Sequence, residues 1–387
     1  ATDDTNLDFD GVTVTVSGNI DITKQSYFDI NSGSAEVLGG TFSTADTAIT
    51  LFQDSPLTVK GNVNLDGQDH TFNGSPIVVA KDGIFDGTLS AKLTSKVHAI
   101  TSPITVNEGD IRFNNQAHLL AENSPLEVND GNVIFSDQST LEFTDGTTLT
   151  INAGNFEFHN TAMFFADGAT SITVNDGKFL VYDDINLSFD DVNILVGGNM
   201  EFYGQSQLDL INSDVQVVDG SFFTADTVQL TFGSTNLLVE GSVTLGGATH
   251  DFIDSSIVVK DTNGGLLKAI ASAKVDSTNT TITVDGGNIE FTTTSSLNAD
   301  ESTIEVNTGS VSFSDSSKVD FTSNTQLTIN DGNFNVHNNA EFTAQSSNID
   351  VASGDFRTFQ DSLVSFDDVT LLVNGNAEFS DQSSLTM

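Results

Sequence analysis

The chain has 387 residues, and its 54 acidic against 12 basic residues give a formal net charge of −42 at pH 7. Such a surface repels phosphate, so nucleic acid and anionic membranes are poor partners, because binding them requires clustered Lys and Arg. The absence of cysteine excludes disulfides and thiolate metal sites, and no run approaches the roughly 18 apolar residues of a membrane span, so we expect no membrane insertion.

A turn that ends in glycine and leads into an alternating strand recurs about every 22 residues along the whole chain. These landmark glycines are Gly18, Gly40, Gly61, Gly83, Gly109, Gly131, Gly154, Gly177, Gly198, Gly220, Gly241, Gly264, Gly287, Gly309, Gly332, Gly354 and Gly375, with one long gap of 26 residues after Gly83. A period in this range is typical of a solenoid. Glycine at each corner indicates a positive φ, which it adopts without steric penalty.

A longer repeat of about 180 residues is superimposed on the short one. TFSTADTAITLF at Thr41 returns as SFFTADTVQLTF at Ser221, and LTINAGNFEFHN at Leu149 returns as LTINDGNFNVHN at Leu327. We therefore expect a first long unit over residues 1–180, a second over 181–358, each of eight coils, and the start of a third over 359–387. All three would belong to one continuous solenoid, with coils open to further stacking at both ends.

One coil can be predicted from residues 155–177, which hold three short alternating runs. These are Phe156 to Phe158, Ala162 to Phe164, and Ser171 to Val174, separated by polar turns. Three short strands per 22 residues suit an all-β, single-stranded parallel β-helix of about 17 coils without helices. Coils that stack at the inter-strand spacing of about 4.8 Å would give a rod of roughly 80 Å. Coils of 21 to 23 residues with variable turns favour a right-handed coil.

Phenylalanines four residues after a landmark glycine are predicted to form a core ladder, with a carbohydrate-stacking platform as the alternative. They are Phe113, Phe135, Phe158, Phe202, Phe291, Phe313 and Phe379. All four prolines follow a serine and are expected at the first residue of a strand, a place that a sheet tolerates. They are Pro56, Pro76, Pro103 and Pro125.

Aspartate doublets at turns are the candidate metal ligands. They are Asp183, Asp184, Asp190, Asp191, Asp367 and Asp368. Calcium prefers oxygen-rich turns, and two carboxylates about 4.8 Å apart in water repel by about 1 kcal/mol, which a divalent cation would relieve. Solubility and salt tolerance are the alternative explanation, since the nonapeptide of calcium β-rolls is missing.

No catalytic constellation stands out, so we predict that the chain is not an enzyme and requires no cofactor. Carboxylate pairs are more simply explained as hydrated turns, and neither Arg112 nor Arg357 recurs at its counterpart position. His70 and His250 are counterparts 180 residues apart. Eight coils would separate them, which is too far for a shared metal.

The repeated phrases TTLTINAGNFEF and TQLTINDGNFNV resemble the parallel β-helix repeats of secreted adhesins, autotransporter passengers and surface fibres. The resemblance implies an extracellular or cell-surface location and transfers no site residues. We therefore predict a structural segment of an extracellular fibre, stalk or filament whose partners are copies of itself stacked end to end. Divalent cations and glycans are further candidate ligands. An adhesin shaft that binds glycans or cells is the alternative, and a polysaccharide-acting β-helix enzyme is less favoured.

Overall fold

The computed structural model describes residues 4–83, 87–225, 227–260 and 265–387. These residues contain strands and turns without a helix, and their paired strands run parallel. The predicted fold class is confirmed as an all-β parallel β-solenoid of about 17 coils with about 22 residues per coil. Two compact units divide the chain, Ala1–Gly197 and Gly198–Met387.

The described residues of the first unit form 24 strands. They are β1 (Asn6–Asp10), β2 (Thr13–Val16), β3 (Ile20–Ile22), β4 (Tyr27–Asn31), β5 (Ser34–Thr44), β6 (Ile49–Gln53), β7 (Leu57–Leu65), β8 (Asp69–Asn73), β9 (Ile77–Ala80), β10 (Leu89–Ala91), β11 (Lys96–Ile100), β12 (Ile104–Val106), β13 (Ile111–Phe113), β14 (His118–Glu122), β15 (Leu126–Val128), β16 (Val133–Phe135), β17 (Thr140–Thr144), β18 (Thr148–Ile151), β19 (Phe156–Phe158), β20 (Met163–Ala166), β21 (Thr170–Val174), β22 (Phe179–Val181), β23 (Asn186–Asp190) and β24 (Val192–Val196).

The second unit continues with the same short strands. They are β25 (Met200–Phe202), β26 (Gln207–Ile211), β27 (Asp214–Val217), β28 (Phe222–Thr224), β29 (Gln229–Gly233), β30 (Asn236–Val239), β31 (Val243–Gly246), β32 (Thr249–Ile253), β33 (Ser256–Val259), β34 (Gly265–Ile270), β35 (Lys274–Thr278), β36 (Thr281–Val284), β37 (Gly287–Phe291), β38 (Ser296–Asp300), β39 (Thr303–Val306), β40 (Val311–Phe313), β41 (Lys318–Thr322), β42 (Gln326–Ile329), β43 (Phe334–Val336), β44 (Glu341–Gln345), β45 (Asn348–Val351), β46 (Phe356–Thr358), β47 (Leu363–Asp367), β48 (Thr370–Val373), β49 (Ala377–Phe379) and β50 (Ser384–Thr386).

Each coil contributes one strand to each of three faces. In the first unit the first face is β1, β4, β6, β8, β11, β14, β17, β20 and β23, and the other two faces pair in the same way. Strands β5 and β7 run through the corner between the second and third faces. We call the corners first, second and third in chain order, the third leading back to the first face. Matching residues lie opposite one another, as Leu149 does to Ile172.

Alternation within each strand points one set of side chains into the coil, and that set forms the core. The predicted phenylalanine ladder is confirmed as core at Phe113, Phe135, Phe158, Phe202, Phe291 and Phe313, which are at most 2% exposed, whereas Phe379 is 43% exposed. The rings of Phe113 and Phe135 stack at 5.2 Å, and those of Phe135 and Phe158 at 5.8 Å. The ladder is discontinuous, because Val181 takes the next place after Phe158.

The predicted coil over residues 155–177 is confirmed with shifted bounds. Its strands are β19, β20 and β21, and the predicted middle run Ala162 to Phe164 is displaced toward the C-terminus. Ala162 lies before the strand and is fully buried at the third corner. It directly follows the two-residue turn of Asn160 and Thr161, through which the chain enters the first face.

Landmark glycines such as Gly131 are required by close approach of the backbone and several also by φ, but the positive φ predicted at each corner is wrong at Gly177, Gly220 and Gly241. Gly131 has φ +149°, and a Cβ there would lie 1.9 Å from the carbonyl oxygen of Gly109 in the neighbouring coil. The prediction of Gly83 as a landmark is wrong. Leu89 pairs with both Val63 and Ile111, each of which lies two residues after a landmark glycine, so the equivalent glycine in this coil is Gly87. The landmark Gly264 lies outside the described residues.

The prolines lie one residue before their strands rather than at the first strand residue. Strands β7, β9, β12 and β15 each begin directly after one. In this position the missing N–H costs nothing, while the proline carbonyl accepts a bond from the adjacent coil, as from Leu57 N to Pro76 O at 2.8 Å. None of the described residues belongs to a helix that could span a membrane.

Candidate functional site

The six candidate aspartates lie at separate places in the two units. Asp183 and Asp184 precede β23, whereas Asp190 ends that strand and Asp191 follows it. Asp190 lies six residues after Asp184, so an extended chain separates their Cα atoms by about 20 Å. Asp367 and Asp368 hold the matching positions at the end of β47 in the second unit. The structure therefore forms no single site from these carboxylates.

Asp183 and Asp184 line a shallow surface groove of about 560 Å³ along the third corner of the first unit. We call it the corner groove; it is lined by Asn115, Gln116, Asp137, Gln138, Asn160, Thr161, Asp183 and Asp184. Most of these turns place two successive residues at positive φ, such as Asn115 at 53° and Gln116 at 69°. Asn and Asp tolerate that conformation better than other side chains that carry a Cβ, which explains the polar composition.

Hydrogen bonds connect the corner groove from one coil to the next. Gln116 Nε2 donates to Gln138 Oε1 at 2.9 Å, and Asn160 Nδ2 donates to Asp137 Oδ1 at 3.0 Å. An amide donor therefore faces the carboxylate of Asp137. The groove can present oxygen atoms to a cation or to hydroxyl groups, but part of its polar capacity is already used within the protein.

Asp190 lines a second hollow of about 260 Å³ on the first face. We call it the strand-end hollow; it is lined by Glu142, Phe143, Thr144, Phe165, Ala166, Asp167, Ser188 and Asp190. Phe165 is 40% exposed there. Phe165 was not among the residues predicted from the sequence, although its place in the alternation of β20 points it outward and could have identified it.

The turn aspartates have a conformational explanation. Asp191 and Asp368 sit at first corners with φ of 59° and 54°, and Asp183 has φ 66° at a third corner. Asp367 accepts a bond from Gln345 Nε2 at 3.3 Å. The positions of Asp183, Asp191 and Asp368 require a left-handed conformation, and Asp is one of the few residues that adopt it at low cost.

Stacked carboxylates elsewhere receive amide donors from the next coil. Asn298 Nδ2 lies 2.6 Å from Asp276 Oδ1, and Asn307 Nδ2 lies 2.6 Å from Asp285 Oδ1. Such bonds offset part of the repulsion that motivated the calcium hypothesis.

Within the described ranges, no group of three or more His, Cys, Asp or Glu side chains could hold a metal ion. Calcium typically takes six to eight oxygen ligands. Calcium binding at the six aspartates stays a prediction. Its test is whether calcium added to chelated protein raises the melting temperature or gives a heat signal.

His70 and His250 are core residues of their units. His70 is 1% exposed, its Nδ1 lies 2.9 Å from Thr50 Oγ1, and burial lowers its pKa to about 4. His250 is fully buried, its Nε2 lies 3.1 Å from the carbonyl oxygen of Gly246, and burial lowers its pKa to about 4 despite that bond. Both are therefore neutral at pH 7 and occupy matching places in the two long repeats.

A ladder of buried hydroxyl groups runs along the first corner and was not predicted from the sequence. The backbone N–H of Ser55 donates to Ser75 Oγ, that of Ser75 to Ser102 Oγ, and that of Ser102 to Ser124 Oγ, each at 2.9 Å. The recurring Ser before Pro was the available signal. Because these hydroxyls satisfy buried backbone groups, their role is structural.

The comparisons with known proteins give one result. No curated protein and no solved structure matches the chain. A family model matches residues 111–381, which is more than half of the chain, and the family is described as the discoidin-inducing complex subunit designated B. The chain therefore belongs to this family of discoidin-inducing complex subunits.

Proposed function

We propose that this chain is a structural segment of an extracellular or cell-surface fibre or stalk, in which stacked coils provide length. The observation that carries the proposal is that, within each unit, neighbouring coils pair in the same parallel register. In the first unit, for example, Thr105 lies opposite Glu127, which lies opposite Thr150. Such a column can lengthen by adding coils without a new kind of contact.

Further support comes from how the polar groups of the corners are used. The hydroxyl ladder and the side-chain bonds along the chain join each coil to its neighbours, as from Asn155 N to Asn132 Oδ1 at 2.8 Å. These groups maintain stacking. Of the described residues that the sequence singled out for chemistry, Asp183, Asp191 and Asp368 lie at turns with positive φ, Asp190 and Asp367 end strands, and His70 and His250 lie in the core.

The family description supports a role in assembly. Its words name one component of a complex, so members are expected to act together with other chains. We propose that the partners include copies of this chain stacked end to end, and that residues 1–180, 181–358 and 359–387 are successive repeats of one solenoid. We also propose, as part of the same function, that the chain is a surface fibre of the adhesin or autotransporter-passenger type.

Negative-stain electron microscopy of the native material tests the proposed function. We expect thin rods of constant width whose length grows by the inter-strand spacing of about 4.8 Å for each coil. Rods that join at their ends would support filament formation. Rounded particles, or rods whose width changes between the two repeats, would contradict the proposal.

An adhesin shaft is the second candidate function, and one observation favours it. The strand-end hollow carries an exposed aromatic ring beside carboxylates, an arrangement with no part in stacking coils.

A further inference from the structure

The strand-end hollow arises from a local departure from the coil pattern. Strands β17 and β23 are each five residues long, while β20 between them has four and ends at Ala166. The chain then turns through Gly168 and Ala169, both at positive φ. Because the middle strand ends early, its neighbours stand above a depression that opens on the first face.

Phe165 forms one wall of this depression. It lies in register between Glu142 and Ser188 in the outward column of the first face and is 40% exposed. The fold does not require an aromatic residue in this column, since outward positions here carry polar side chains on both sides. An exposed ring of this kind offers an apolar surface whose hydration is unfavourable.

The matching coil of the second unit supplies an internal comparison. There the outward place of Phe165 is taken by Thr343, in register between Asp320 and Ser365. Strand β44 is five residues long, so it lacks the early end of β20. The polar frame is thus retained while the ring and the shortened strand are specific to the first unit.

The remaining lining groups are hydrogen-bond acceptors and hydroxyls. Glu142, Asp167 and Asp190 supply carboxylates, Thr144 and Ser188 supply hydroxyls, and none of the eight lining residues is Lys or Arg. His118 Nε2 lies 3.3 Å from Glu142 Oε2. An anionic ligand would be repelled, whereas a ligand with many hydroxyl donors would be accepted.

We propose that the strand-end hollow binds a single pyranose ring of an uncharged sugar. The apolar face of the ring stacks on Phe165, and its hydroxyls donate to the carboxylates of Glu142, Asp167 and Asp190. The volume of about 260 Å³ is below the range for drug-sized ligands, which suits one ring rather than a long oligosaccharide. This binding goes beyond the proposed spacer role and would let the shaft contact a glycan at its side.

Saturation-transfer NMR on the full chain tests the proposal, with the methyl glycosides of glucose, galactose and N-acetylglucosamine as probes and choline as a cationic comparison. We expect transfer to the ring protons of at least one glycoside. Phe165→Thr, which copies the residue at the matching place, should weaken that binding about tenfold, a change that corresponds to about 1.4 kcal/mol of lost stacking. Phe165→Tyr should retain it.

Thr343→Ala in the second unit is the matched control and should leave sugar binding unchanged. The melting temperature of each variant checks the fold independently. The proposal is overturned if no glycoside binds, if Phe165→Thr binds as well as the unchanged protein, or if choline alone binds. Each of these outcomes would leave the rods expected in electron microscopy unaffected, so the proposed function stands or falls separately.

Discussion

At the scale of single residues, the landmark glycines are fixed by the backbone of the adjacent coil. We predict that Gly131→Ala destabilises the protein by about 3 kcal/mol or more, because φ is strained and the added Cβ would lie 1.9 Å from Gly109 O. Gly233→Ala is the control, since no atom lies within 4 Å of its added Cβ. Denaturant unfolding measures both. Equal effects of the two substitutions would contradict the role given to close approach.

The buried histidines give a pH dependence of stability. Their folded pKa of about 4 lies below the ordinary value of 6.5, so between these values the unfolded chain binds protons that the folded chain does not. The free energy of unfolding should therefore fall as the pH drops from 6.5 to 4. The fall is on the order of 3 kcal/mol for each histidine.

The double variant His70→Gln with His250→Gln isolates this contribution from that of the carboxylates. Its unfolding free energy, measured by urea denaturation at several pH values, should show a smaller slope between pH 6.5 and 4 than the unchanged protein. The lower absolute stability of the variant does not affect the comparison of slopes. Parallel curves for the two proteins would show that the histidines are not responsible.

The role of a single residue was predictable from the sequence when its residue type has one common role, and was not when the residue type has several. The prediction of Gly131 is correct, whereas that of Gly83 is wrong, because Gly83 and Gly87 both follow an aspartate and the sequence does not show which of them starts the coil. Aspartate was assigned to calcium because its oxygen atoms suit a cation. At Asp191 and Asp368, the tolerance of aspartate for positive φ accounts for its presence. The sequence alone does not distinguish an aspartate that is needed for this conformation from one that binds a cation.

At the scale of elements, the hydroxyl ladder sets the first corner. Ser102 Oγ accepts the N–H of Ser75 at 2.9 Å and lies 2.8 Å from Ile100 O. We predict that Ser102→Ala lowers the free energy of unfolding by about 1–3 kcal/mol, because a buried N–H loses its acceptor. Ser102→Thr should be tolerated, since Thr147 continues the same ladder.

Ser139→Ala is the matched control for this prediction. Its buried hydroxyl has no hydrogen-bond partner among the described residues, so its removal should change stability little. Thermal melts of the three variants provide the comparison. If Ser102→Ala and Ser139→Ala behave alike, the ladder does not contribute in the way described.

Strand positions were largely predictable because alternation is a local property of the chain. The three strands of residues 155–177 were found, with the middle strand displaced because Ala162 belongs to a corner. The early end of β20 and the hollow beside it were not predicted. Their formation depends on the lengths of strands in the two adjacent coils, which alternation within one segment does not reveal.

At the scale of the whole molecule, the repeats in the sequence predicted the class of fold because each coil provides the surface on which the next one forms. The net charge of −42 predicted an acidic exterior. It did not predict that Asn298 would lie between Asp276 and Asp320 in the same column, while Asp251 lies directly opposite Asp276 on the other side. That arrangement depends on the register between coils, which becomes visible only when the strands are paired.

In-register stacking is the central claim, and disulfide cross-linking tests it most directly because the chain contains no cysteine. Thr150 lies opposite Thr173 on adjacent strands, so their Cα atoms should be about 4.8 Å apart, within the range of a disulfide. We predict that Thr150→Cys with Thr173→Cys forms an intramolecular disulfide under mild oxidation. Thr150→Cys with Ser171→Cys, displaced by two residues along the strand, should not. Efficient cross-linking of the displaced pair, or none of the matched pair, would contradict the stacked solenoid.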